Sequence, residues 1–219
     1  TLGRFGWKAG QPSIREQVAA AFLGDVGISS PIHPRPWGDC TPREAACRKA
    51  PHGGGAAGIE ATRQMIDLVT FYSRNLAVPA RRKVGDPIVL RGKEAFHAAG
   101  CQACHTPKFV TRRDSIGPEQ SFQLIWPYTD LLLHDMGAGL ADGAPEGVAD
   151  GREWRTAPLW GIGLLRTVNP RATFLHDGRA RTLMEAILWH GGEGEKSKQR
   201  FVDMDRADRD ALIEFLRSL

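Results

Sequence analysis

The sequence predicts an all-α fold with long irregular loops. Three observations carry that expectation. Five segments of the 219 residues place apolar positions at helical spacing beside capping or boundary residues. No segment alternates apolar and polar residues as a half-buried strand would. The stretches between the helices, above all 29–58 and 106–181, are rich in residues that break periodicity.

The first helix is expected over Ser13–Leu23, where Ser13 can cap and Glu16, three residues on, completes a capping box. Residues 29–58 then hold Ser30-Pro31, His33-Pro34, Arg35-Pro36 and Gly53-Gly54-Gly55, the makings of a long loop. A second helix is expected over Ile59–Ala77, with Met65, Leu68, Val69, Tyr72 and Leu76 as its apolar positions and Pro79 just past its end. The third runs over Asp86–Ala99, with Pro87 at the first helical position and Gly100 as its stop. A short helix follows over Thr182–His190. The last covers Asp205–Leu219, with Ala207, Leu212, Ile213, Phe215 and Leu216 apolar.

Composition excludes several classes. Hydrophobic residues make up 42%, enough for a core. A net charge of +4 is too small to argue for a nucleic-acid partner, and Arg81, Arg82, Lys83, Arg112 and Arg113 read as solvated faces. No apolar run of about 18 residues exists to span a membrane. The chain opens on Thr1-Leu2-Gly3 with neither an initiator Met nor a visible signal peptide, and it reads as a mature or truncated chain.

One motif carries chemistry. Cys101-Gln102-Ala103-Cys104-His105 is the pattern by which two thiols add to haem vinyl groups while the adjacent His ligates iron. A zinc site would need a second, closely spaced ligand pair, and Cys40 and Cys47 are poorly spaced for one. A thioredoxin-like site would need a βαβ pattern. With one helix running into the motif and another closing the chain, the domain is expected to be cytochrome c-like, with one covalent haem c. Covalent haem attachment in bacteria happens outside the cytoplasm, so a periplasmic location is expected. Disulfides persist there, and Cys40 and Cys47 are expected to form one.

Iron has a sixth position, for which His190, Met136, His134 and His176 are candidates. His190 closes a short helix before Gly191-Gly192, where small residues let backbone approach a flat macrocycle. Met136 lies in the loop Leu-His-Asp-Met-Gly. The haem propionates call for cations. Arg152, Arg155, Arg166, Arg171 and Arg179 lie near Trp154, Leu159, Trp160 and Ile162, and Arg155 and Arg179 are the first choices, with Trp160 at the cofactor. Residues 5–17 also echo residues 174–187: an aromatic, a polar turn, a hydroxyl cap, an aliphatic residue and a Glu follow in the same order.

Long segments carry a resemblance. Gly-Arg-Phe-Gly-Trp-Lys-Ala (3–9), Ala-Phe-Leu-Gly-Asp-Val-Gly-Ile (21–28), Leu-Ala-Val-Pro-Ala-Arg-Arg (76–82) and Pro-Tyr-Thr-Asp-Leu-Leu-Leu-His-Asp-Met-Gly (127–137) come in order. Glu-Trp-Arg-Thr-Ala-Pro-Leu-Trp-Gly-Ile-Gly (153–163) and Phe-Leu-His-Asp-Gly-Arg-Ala (174–180) follow. The chain resembles the di-haem oxidoreductases, once called thiol oxidoreductases, which are related to bacterial di-haem cytochrome c peroxidases and MauG. The family pattern has at least two haem domains, and this chain has one Cys-x-x-Cys-His. The resemblance therefore implies a C-terminal haem domain at 81–219, preceded at 1–80 by remnant or linker helices of another haem domain. In those relatives a ligand stands fourteen residues after the His of His-Asp-Gly, which points from His176 to His190. The resemblance also places Trp7 and Gln17 at an inter-haem pocket, and a calcium ion near Arg171 and Thr173.

The resulting expectation is one-electron transfer in the periplasm, with His105 and His190 as axial ligands and no open coordination site. The partner is a redox protein or a second haem domain. The rival is a peroxidase-like di-haem oxidoreductase whose first haem domain lies outside this chain.

Overall fold

The computed structural model describes residues 1–219, the side chain of Ala57 excepted. The chain divides into two compact units, the first Thr1–Gly6 with Gly10–Ala77, the second Trp7–Ala9 with Val78–Leu219.

The first unit is built on α1 (Ile14–Val26), α2 (Ala45–Arg48) and α3 (Arg63–Arg74). Ser13 caps α1 by accepting from the Glu16 amide, and Gly27 ends it with a left-handed φ of 67° that returns its N–H to the Leu23 and Phe22 carbonyls. Val18, Ala61 and Ile66 form its small core, with Ile14, Phe22 and Val69 against it. The long loop contains α2, which carries Cys47 of the Cys40–Cys47 disulfide.

Two expectations for α3 are corrected. The helix is shorter than 59–77 because Thr62 caps it and Glu60 is engaged elsewhere, accepting from the amides of Ser29 and Gly53. Its buried positions are Ile66 and Thr70, whereas Met65, Leu68, Tyr72 and Leu76 are exposed. Helical spacing locates a stripe but cannot tell which neighbouring stripe meets the core.

In the second unit α4 (Pro87–Ala98) is capped by Asp86 and leads into the Cys-x-x-Cys-His turn. A hairpin follows, β1 (Phe109–Val110) against β2 (Leu124–Ile125), with Phe109 opposite Ile125. A second antiparallel pair joins β3 (Leu133–Asp135) to β4 (Glu153–Arg155), with His134 opposite Trp154. Then come α5 (Leu165–Val168), α6 (Leu183–Leu188), α7 (Glu195–Asp203) and α8 (Arg206–Ser218). The all-α expectation is thus overturned: the chain mixes helices with two small antiparallel sheets. Strands of two or three residues are too short to print an alternation, so their pairing is set by tertiary neighbours rather than by pattern.

The core sits where α4 crosses α8. A Cβ at Gly92 would stand 1.9 Å from the Ala211 carbonyl oxygen, so only glycine lets the two backbones meet there. Phe96 then packs on Phe215 at 5.3 Å and on Tyr128 at 5.9 Å, all three fully or nearly buried.

The internal echo is a geometric repeat. Phe5 bridges Gln11 as Phe174 bridges Ala180. Left-handed backbone occurs at Gly6 and Ala9 in one turn and at Leu175 and Gly178 in the other, the same two positions. Two residues past each bridge a hydroxyl caps a helix, Ser13 for α1 and Thr182 for α6.

Candidate haem site

The site grows from the end of α4. Gly100, at φ 83°, turns the chain into a tight turn over Cys101–Ala103. The His105 amide closes on the Cys101 carbonyl at 2.9 Å, setting both thiols and the imidazole on one turn. His105 Nδ1–H donates to the Tyr128 carbonyl at 3.0 Å, and the Thr129 amide to the Thr106 carbonyl at 3.0 Å. The ring's tautomer and direction are thereby fixed, with Nε2 left as a lone pair. Burial pushes the His105 imidazole down to about 4, with nearby His190 adding to the effect, so it is the neutral, ligating form. Burial also pushes the Cys101 thiol up to about 11.

His190 follows α6. Its Nδ1–H donates to the Ala186 carbonyl at 2.8 Å, so it too presents a free Nε2. Burial lowers its pKa. The two ring centroids lie 6.5 Å apart. A metal between two imidazoles needs ring centres about 6 Å apart, since each metal–nitrogen bond is about 2 Å and each ring centre lies about 1 Å behind its nitrogen. The residues present fit an iron held from both sides.

The turn after His190 packs tightly on β3 and its extension. A Cβ on Gly192 would meet the Asp135 carbonyl oxygen at 2.2 Å, and one on Gly191 the Met136 carbonyl oxygen at 2.9 Å. Glu193 completes the seal, accepting from the Asp135 amide at 2.9 Å and pairing with His134 at 2.7 Å.

The other candidates fall as follows. Met136 stands beside His190: its methyl and the His190 Cδ2 lie 3.3 and 3.2 Å from the point a Gly194 Cβ would occupy. His134 is held between Asp130 and Glu193. Against the cost of burial, these partners raise its pKa. Cys104, Asp130 and His134 lie close enough to hold a metal ion, but the Cys104 sulfur is one of the two expected haem attachments. His176 stacks on Trp154, centroids 3.5 Å apart and planes 14° apart. Lys8 also lies over that indole, 4.5 Å from the centroid. Arg179 bonds Asp177 and the Gly139 carbonyl and lies over Trp189, the neighbour of His190. Arg155 is partly buried, which lowers its pKa, and reaches the Thr156 carbonyl at 3.2 Å. Trp160 lines a separate cavity of about 540 Å³ with Trp126, Arg81 and Leu219, and none of the histidine pair lines it. Trp7 is exposed, while the Gln17 side-chain oxygen is buried without a partner.

Sequence reasoning missed the carbonyls of Tyr128 and Ala186 that orient the two imidazoles. A backbone acceptor leaves no signature in residue type. It also missed the contacts of Lys8 and His176 with Trp154, residues far apart in the chain.

A family model described as "di-haem oxidoreductase, putative peroxidase" matches residues 1–219. No curated protein matches the chain.

Proposed function

The chain belongs to the di-haem oxidoreductase family, and from that premise we propose that it is a periplasmic c-type cytochrome passing single electrons through one covalent haem. Haem is the family's cofactor, and when bound it supplies a one-electron couple. In this reading Cys101 and Cys104 would hold the haem through thioethers, and His105 and His190 would hold its iron. The observation that carries it is the histidine pair: two buried imidazoles 6.5 Å apart, each with Nδ1 tied to a backbone carbonyl. Tyr128 and Ala186 thus hold both rings in one tautomer and limit rearrangement as the electron arrives and leaves. Arg155 and Arg179 are the cations for the propionates, Arg179 also covering Trp189 beside the ligand. The test is a pyridine haemochrome count on the intact chain with electron paramagnetic resonance of the oxidised protein. One covalent haem and a low-spin bis-imidazole signal are expected. Haem extractable into acidic organic solvent, or a high-spin resting iron, would overturn the reading.

One observation favours the rival, a peroxidase-like oxidoreductase whose other haem comes from a further domain. Residues 5–26 repeat the turn, cap and helix that present His190, and the position matching His190 is Ala21. A haem facing that copy would find no ligand at position 21, the open position that peroxide chemistry requires. Gln17, with its buried unpaired oxygen, belongs to the same turn of α1. Trp7 between the haems and a calcium ion near Arg171 and Thr173 are parts of this second reading.

A further inference from the structure

We propose that the β1–β2 hairpin is the docking surface for an acidic redox protein, the electron partner of the histidine-ligated haem. The inference rests on the electron-transfer reading above and adds the surface and the charge of its partner.

Both ends of the hairpin are tied to the proximal ligand. It opens at Lys108-Phe109, three residues after His105, and closes at Ile125-Trp126, two residues before Tyr128, whose carbonyl holds the His105 ring. The Thr129 amide to Thr106 carbonyl bond clamps the two ends together. A partner seated on the hairpin is therefore connected to the His105 turn through both of its strands.

Its surface is unusual for solvent. Val110, Phe122 and Leu124 are each more than half exposed, and Trp126 is 37% exposed. An apolar patch of this kind marks an interaction site. Phe122 adds a second sign. Its φ is 54°, left-handed backbone that a phenylalanine adopts at a cost, yet its side chain is exposed. The folded chain gains little from that arrangement by itself.

The cations give the partner's sign. Lys93 from α4 and Lys108 both stand over the Trp126 ring, at 6.0 and 5.5 Å, and Arg113 stands over Phe122 at 5.8 Å. Among the described residues no carboxylate pairs with any of the three. Asp114 is taken by Arg112 at 2.7 Å, and the Glu119 carboxylate folds back on the Gly117 turn. Unpaired cations around an apolar aromatic centre match a partner with an apolar contact patch and an acidic rim. Such charges act chiefly on the rate of encounter.

The experiment mixes the reduced holoprotein in a stopped-flow instrument with two oxidised probes, an acidic plastocyanin and a basic cytochrome c. For the unaltered protein, fast transfer to plastocyanin that falls with salt is expected. The triple variant Lys93→Glu, Lys108→Glu, Arg113→Glu should slow that reaction at least tenfold at low ionic strength and speed the reaction with basic cytochrome c. Phe122→Ser should weaken the plastocyanin reaction without changing its salt slope. Equal rates within twofold for the triple variant and the unaltered protein would overturn the proposal. So would unchanged rates with loss of binding to phosphatidylserine vesicles, which would assign the hairpin to a membrane surface. A chain with no covalent haem or no reversible couple fails earlier, in the haemochrome count, and that failure belongs to the electron-transfer reading.

Discussion

His190 and Met136 compete at the scale of single residues. Both flank the same point beside Gly194. The ring is favoured because its Nδ1 is already bonded to Ala186 and its centroid stands at the right separation from His105. Two imidazoles also give a lower potential than a His/Met pair, since a thioether favours the reduced state. His190→Ala should therefore turn the oxidised iron high-spin and admit cyanide, seen as a shifted Soret band. Met136→Ala should leave the low-spin spectrum nearly unchanged. The reverse pattern, with a sulfur-to-iron band in the unaltered protein that Met136→Ala removes, would make Met136 the ligand.

At the scale of elements, the α4–α8 crossing decides the stability of the haem unit. The Gly92 position offers a Cβ only 1.9 Å from a backbone oxygen, and backbone cannot swing aside as a side-chain tip can. Gly92→Ala should destabilise by about 1–3 kcal/mol, the usual cost of overpacking a core, read as a lowered melting temperature of the holoprotein. An unchanged melting temperature would show that the helices part freely. The same scale shows what was legible in the sequence. Four helix starts were, because Ser13, Asp86, Thr182 and Asp205 are polar residues at the heads of the expected helices, and each accepts from an amide of its helix. The Cys-x-x-Cys-His turn was legible because its chemistry is written in adjacent residues. The strands were not: β1 and β2 are two residues each and none of the four is buried, so no burial alternation exists to read. The face of α3 was misread because Met65, Leu68, Tyr72 and Leu76 satisfy helical spacing while packing puts Ile66 inward. Nor could residue types reveal that a Tyr128 carbonyl, rather than a side chain, would orient His105.

At the scale of the whole molecule, the chain's path ties its two units by more than the link at Ala77–Val78. It leaves the first unit after Gly6, contributes Trp7–Ala9 to the second, and returns at Gly10. That short segment is built in firmly. The Arg155 amide donates to the Trp7 carbonyl at 2.8 Å. Lys8 is 5% exposed, with its ammonium 2.7 Å from Asp142 and bonded to the carbonyls of Ala144 and Asp150. Removing the ammonium leaves those acceptors short of a donor, at a cost of about 1–3 kcal/mol. A protease site inserted between Ala77 and Val78, both exposed, should be tolerated and cut. The fragments 1–77 and 78–219 should still elute together on gel filtration, because Trp7–Ala9 remains seated after the link is severed. With Lys8→Ala added, the cut fragments should separate while the haem stays on 78–219. Separation of the cut fragments with Lys8 intact would show that the segment is only lightly held, and that the link at 77–78 alone joins the two units.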